Sequence, residues 1–192
     1  MKKYFCAVLL VLCTALAGCG GKEIPGTPNP MGLSGKHSPE AETLFARARI
    51  LWNKDDTCLD PEQALLLLDK ALDLDTDYAD AYQRRGLAKN ALRDWDGAFD
   101  DLSRAIRLAP NAENFAFRAL ASLRGGNYMG ARKDIDRSLG ITSRQHRAWM
   151  YRGTLNMLEG DLQTACKDYN KACDYGDCRG LTDAREAGHC LK

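Results

Sequence analysis

Four segments of this chain repeat one another at a nearly fixed interval, and that periodicity restricts the fold more than any other feature. Aligning the alanines of Gln63-Ala64, Gly97-Ala98, Gly130-Ala131 and Thr164-Ala165 gives separations of 34, 33 and 34 residues. Four positions after each alanine stands a large side chain, Leu68, Leu102, Ile135 or Tyr169, and three further on a small one, Ala71, Ala105, Ser138 or Ala172. Offsets of four and seven place all three on one face of a helix. Before the last three alanines comes a turn with Asp or Asn and then an apolar residue: Asp94-Trp95, Asn127-Tyr128 and Asp161-Leu162. A period of this size marks stacked supersecondary units.

The upstream half of each unit carries a bulky residue, Leu44, Tyr82, Phe115 or Trp149, and four positions later a very small one, Ala48, Gly86, Ala119 or Gly153. The small residue lets two helices approach closely at that point. Tyr82, Gly86, Ala98, Ala105 and Pro110 show the pattern most fully, and it resembles the tetratricopeptide repeat over about residues 41 to 178. The resemblance implies an all-α chain: a right-handed α-solenoid of about four helix hairpins within 38–178, in units near 41–78, 79–111, 112–145 and 146–178. A short C-terminal cap, 179–192, would close it.

The resemblance also implies a concave groove lined by the first helices. Carried onto this sequence, its positions are Glu42, Phe45, Arg49 and Trp52 in the first unit, and Asp80, Gln83, Leu87 and Asn90 in the second. The third supplies Glu113, Ala116, Leu120 and Arg124, and the fourth Arg147, Met150, Thr154 and Met157. Such a groove is mixed at one end and more apolar at the other, where methionines adapt to irregular partners. The lysine and asparagine set by which some members clamp a C-terminal carboxylate is missing, so a chaperone-tail clamp is not expected. A short superhelix suits an extended or helical segment of a protein partner better than a folded domain.

Two details are particular to this chain. Between Trp52 and Ala64 the first unit holds about four extra residues, an insertion cheap in closure entropy and read as tolerated length variation. Arg47, Arg85, Arg118 and Arg152 each precede the small residue of a first helix, while Asp101, Asp134 and Asp168 lie three residues after the aligned alanine. The register predicts an Arg to Asp pair across each of the last three hairpins. Leu67 replaces the aspartate in the first.

The N-terminus reads as an address. Lys2 and Lys3 precede an uncharged, proline-free run from Tyr4 to Leu16, shorter than the roughly 20 apolar residues that span a bilayer and closing on small residues, as a cleaved export signal does. Leu16-Ala17-Gly18-Cys19 resembles the bacterial lipoprotein box. That implies a signal peptide over 1–18, a diacylglycerol on the Cys19 thiol and a further acyl chain on its amine, enough for stable anchoring. Gly20 stands where the enteric inner-membrane retention signal would be Asp, so the outer membrane facing the periplasm is the expected address. Residues 20–37, with five Gly and three Pro, read as a tether with an average reach of about 20 to 25 Å.

Past residue 18 the chain holds 25 Lys and Arg against 26 Asp and Glu. A near-neutral chain lacks the basic excess that captures nucleic acid. Eight cysteines make redox state the next constraint. Cys166 and Cys173 share a helix face about 10 Å apart along the axis, too far to bond each other. Four cysteines permit three connectivities. Folding the cap back antiparallel favours the nested pairs Cys173 with Cys178 and Cys166 with Cys190. Cys58 has no obvious partner, and is either free or a bridge between two molecules.

The rival reading is a thiol-redox or metal-binding envelope protein that uses Cys166, Cys173, Cys178, His189 and Cys190. An oxidising compartment favours disulfides, and the paired CxxC spacing of zinc ribbons does not occur. His37, His146 and His189 are far apart in sequence, and no P-loop, dinucleotide fingerprint or haem-attachment motif is present. The chain is therefore expected to be a non-enzymatic, cofactor-free scaffold, similar to tetratricopeptide lipoproteins that organise cell-wall remodelling or assembly of a pilus or secretion machine.

Overall fold

A computed structural model of the protein describes residues 37–53 and 57–190. The export signal, Cys19 and the tether up to residue 36 lie outside the described residues. Those described form the helices α1 (Pro39–Arg49), α2 (Pro61–Leu74), α3 (Ala79–Ala91), α4 (Trp95–Leu108), α5 (Ala112–Arg124), α6 (Tyr128–Ile141), α7 (His146–Leu158), α8 (Leu162–Asp174) and α9 (Arg179–Glu186). Among them no strand occurs, and one isolated antiparallel bridge joins Trp52 to Cys58. Consecutive helices pack on one another, and α3, α5, α7 and α9 also touch in series, so the hairpins stack into an all-α solenoid.

The repeat dictates where each second helix begins. Asp60, Asp94, Asn127 and Asp161 each accept a hydrogen bond from the backbone N–H three residues on, at 2.9 to 3.0 Å, capping α2, α4, α6 and α8. These caps recur at the spacing of the aligned alanines, and each stabilises its helix by about 1 kcal/mol. Gly126 and Gly160 reverse the chain just before two of the caps, with φ of 78° and 84°. Arg93 makes the same turn at φ 64° without glycine's freedom.

The aligned positions form the interior. Ala64, Ala98, Ala131 and Ala165 are fully buried, as are Leu68, Leu102 and Ile135. Ser138, also fully buried, donates its hydroxyl proton to the Ala112 carbonyl at 2.7 Å, which removes the cost of a polar group there. A Cβ on Gly86 would stand 2.8 Å from Leu102 Cγ and 3.2 Å from the Ala98 carbonyl oxygen. On Gly153 it would stand 2.8 Å from the Tyr169 ring and 3.2 Å from the Ala165 carbonyl oxygen. The two helices of these hairpins therefore meet backbone to side chain.

The last three hairpins carry guanidinium forks. Arg85 donates through Nε and Nη2 to Asp101 at 2.8 and 2.7 Å. Arg118 does so to Asp134 at 2.7 Å twice, and Arg152 to Asp168 at 3.0 and 2.7 Å. All three aspartates are buried. Tyr82, Phe115 and Trp149 flank the same guanidiniums, with centroids 5.4, 5.9 and 4.5 Å away. Hydrogen bonding to Asp168 raises the Arg152 pKa against the opposing effect of burial. In the first hairpin Leu67 is buried where the others have aspartate, and Arg47 is exposed.

Both ends are tied down. At the start, His37 stacks on Tyr78 with centroids 3.9 Å apart, and its Nδ1 lies 2.7 Å from Asp75. At the finish, Leu181, Ala184 and Cys190 pack on Ala165 and Tyr169, while Thr182, Asp183, Arg185 and Glu186 face out. That is the polar outer side that a terminal unit needs. The structure bonds Cys173 to Cys178 across the turn and Cys166 to Cys190 farther along, a nested pair of disulfides.

Three measurements check this architecture. Arg118→Ala strands buried Asp134 and should lower unfolding free energy by about 2 to 4 kcal/mol, because the pair is mostly but not wholly buried. Arg47→Ala should stay within about 0.5 kcal/mol, and equal urea midpoints for the two variants would contradict the fork's role. Gly153→Ala should destabilise by about 1 to 3 kcal/mol through overpacking. Gly140→Ala, whose Cβ would meet nothing within 4 Å, should be neutral or slightly stabilising. The disulfides close sequence separations of 24 and 5 residues. Cys166→Ser should accordingly cost about 1 kcal/mol more than Cys173→Ser in thermal unfolding, since the longer loop restricts the unfolded chain more.

Candidate functional site

Because first helices stack on first helices, their shared inner side forms one groove. Its centre is a cavity of about 390 Å³. Leu87, Asn90 and Ala91 of α3, Phe117, Leu120 and Arg124 of α5, and Arg147, Met150 and Tyr151 of α7 line it. Arg179 of the cap stands at one side, and Thr57 and Cys58 of the α1–α2 loop at the other. Toward the C-terminus it continues into a shallower space of about 620 Å³ that adds Thr154, Met157, Tyr169 and Asp183. Both volumes lie in the range of ligand-binding clefts.

The central cavity has a one-sided charge. Its lining holds three arginines and no carboxylate. Arg147 reaches outward to Glu113 at 3.3 Å and lies 5.1 Å from the Phe117 ring centroid, and Arg179 is forked onto Asp177 at 2.9 and 2.8 Å. Arg124 is exposed, and among the described residues it forms no ion pair. Its Nη1 lies 3.5 Å from the Asn90 carbonyl oxygen, and its guanidinium is 5.9 Å from the Trp95 ring centroid. Burial pushes the Tyr151 phenol up to about 12, so it contributes a neutral hydroxyl.

The groove positions carried over from the repeat family divide into two groups. Leu87, Asn90, Leu120, Arg124, Met150, Thr154 and Met157 line the two spaces, as does Arg147. Others serve the frame. Phe45 is buried against Tyr78, with centroids 4.7 Å apart, and Ala116 is fully buried between α5 and its neighbours. Gln83 is buried and donates to Asn114 at 2.7 Å, joining α3 to α5, and Glu42 is buried in α1. Arg49 is exposed at the first unit, and Trp52 is half-buried beneath the Arg84 guanidinium, 5.3 Å from its ring centroid. Asp80 is exposed and Glu113 half-buried beside Arg147.

The long first loop has a larger part than tolerated length variation. Leu59 N–H donates to the Leu51 carbonyl at 2.8 Å and Asn53 N–H to the Thr57 carbonyl at 3.1 Å, a short antiparallel clasp that turns Cys58 toward the cavity. Cys58 is the free cysteine of the described chain, and burial pushes its thiol pKa up, away from the reactive thiolate. Among the described residues no group of three or more His, Cys, Asp or Glu is placed to hold a metal ion.

No family model matches the chain. Over 111 residues, 58% of its length, it is 27% identical to tetratricopeptide repeat protein 13 of Homo sapiens, of which it spans 13%. The crystal structure of MamA superposes with a TM-score of 0.59 at 25% identity, over 79% of this chain and 83% of that one. YrrB, described as a TPR protein with an unusual peptide-binding site, superposes with a TM-score of 0.54 at 22% identity, over 69% and 67%. With the alanine period, the stacked hairpins and these likenesses in agreement, the described part of the chain has the tetratricopeptide-repeat fold, a solenoid of stacked helix hairpins.

Proposed function

We propose that this protein is a lipid-anchored docking platform of the bacterial cell envelope, which holds an extended or helical segment of a protein partner in its inner groove. The observation that carries the reading is the continuous groove of α3, α5, α7 and α9, apolar through Leu87, Leu120 and Met150 and edged by guanidiniums. A short apolar cleft with a few placed polar groups suits segment recognition. The peptide-binding site of YrrB supports the same use of the fold.

The export and anchoring part of the proposal rests on the sequence of residues 1–19. Acylated Cys19 would hold the chain on the outer membrane facing the periplasm, with the tether letting the solenoid lean away from the bilayer. Two disulfides suit an oxidising compartment. Cell-wall remodelling and assembly of a pilus or secretion machine are the envelope activities such a platform would serve. The rival redox or metal reading needs free thiols at the C-terminus, whereas Cys166, Cys173, Cys178 and Cys190 are bonded in pairs.

The test places a photo-crosslinking amino acid at Leu120 or Met150, in the groove, and at Met129, which is 87% exposed on α6. The groove positions should capture the same discrete partner in living cells and Met129 should not. Cys19→Ser should move the protein from the membrane fraction to the soluble one. Capture confined to Met129 would refute the docking face, and unchanged fractionation of Cys19→Ser would refute the anchor.

A further inference from the structure

Resting on the docking reading above, we infer that the segment received by the central cavity is acidic: an extended stretch whose Asp or Glu carboxylate pairs with Arg124 while its flanking apolar side chains lie on Leu87, Leu120 and Met150. Charge complementarity is the first argument. The lining bears three guanidiniums and no carboxylate, and the carboxylates that hold Arg147 and Arg179, Glu113 and Asp177, stand outside it. Arg124 and Arg179 are both exposed, but Arg179 is already forked onto Asp177, whereas Arg124, at the end of α5, has a neighbouring carbonyl and an aromatic ring as its contacts. An incoming carboxylate would give it a charge-assisted, two-pronged partner.

The second argument is independent and lies in the floor. Asn90 is 2% exposed, and neither its amide nitrogen nor its amide oxygen has a hydrogen-bond partner among the described residues. Native interiors rarely leave a donor and an acceptor both unmet. A main-chain peptide group presents N–H and C=O side by side, the complement of a side-chain amide; a lone carboxylate would satisfy only the nitrogen. Arg124 sits over this residue, with Nη1 3.5 Å from the Asn90 carbonyl oxygen. Arg124 and Asn90 are thus neighbours in the lining, so a segment whose carboxylate reaches Arg124 brings its main chain beside Asn90. Together the two contacts select an unbroken acidic strand.

Fluorescence anisotropy tests this with the full chain in detergent micelles and end-capped peptides in which aspartate alternates with leucine. The acidic peptide should bind about tenfold or more tightly than the same peptide with asparagine for aspartate, and added salt should reduce the difference. Arg124→Glu should abolish the advantage, while Arg132→Glu, on the outer helix α6, should keep it. Asn90→Leu, with its fold checked by circular dichroism, should weaken both peptides alike, because both share the main chain. Equal affinity of the two peptides, an advantage that survives Arg124→Glu, or equally tight binding of single-stranded DNA would overturn the inference. If the peptides behave so while groove crosslinks persist in cells, the acidic assignment alone falls; loss of both would remove the docking face as well.

Discussion

The approach of each first helix to its own second helix, at a residue with almost no side chain, is the constraint on which the rest of the molecule depends. Ala48, Gly86, Ala119 and Gly153 hold that position, and at Gly86 and Gly153 even one added carbon would meet a side chain at 2.8 Å. Contact this close fixes the hairpin, and a fixed hairpin sets how the next one stacks. The groove is a consequence of that stacking. Among the described residues, loops add to it the rim supplied by Thr57 and Cys58 at the central cavity and Ala187 and His189 past α9.

Close approach alone leaves the second helix free to slide, and the Arg–Asp forks remove that freedom. Each aspartate is buried and accepts two parallel hydrogen bonds from one guanidinium, a geometry that specifies register as well as attraction. The aromatic residue one turn earlier covers the guanidinium, so the bulky half of the repeat signature is half-buried and does its packing against charge. At the C-terminus, where no further hairpin follows, α9 and two disulfides replace the missing neighbour. Packed outer helices and a covalently closed C-terminal end leave the inner side as the place where side chains are available to something else.

Much of this was legible in the sequence because the frame is periodic. The stacked hairpins and the Arg–Asp pairs follow from residues at fixed offsets, the all-α class from the family resemblance those offsets carry, and the nested cysteines from folding the cap back antiparallel, one of three connectivities. The groove was legible only in part. Its positions were assigned by resemblance, and periodicity does not distinguish a residue facing the groove from one facing the next helix. Phe45 and Ala116 went to the core because Tyr78 and α6–α7 close over them, and Gln83 found Asn114 in the following unit. The part played by Cys58, Tyr151 and Arg179 carried no periodic signal. Cys58 depends on a clasp between Leu51 and Leu59, and Arg179 on where the cap comes to rest. The unmet amide of Asn90 is a property of its surroundings and has no counterpart in the sequence.

The account's central claim is that recognition takes place on the inner side of the stacked first helices. Methyl NMR of the methionines tests it most directly, because the described chain carries Met150 and Met157 along the groove and Met129 on the outer helix α6. Titration with the captured partner segment should shift and broaden the Met150 and Met157 signals and leave Met129 in place. Perturbation of Met129 with Met150 and Met157 unmoved would put the partner on the opposite face and contradict the account.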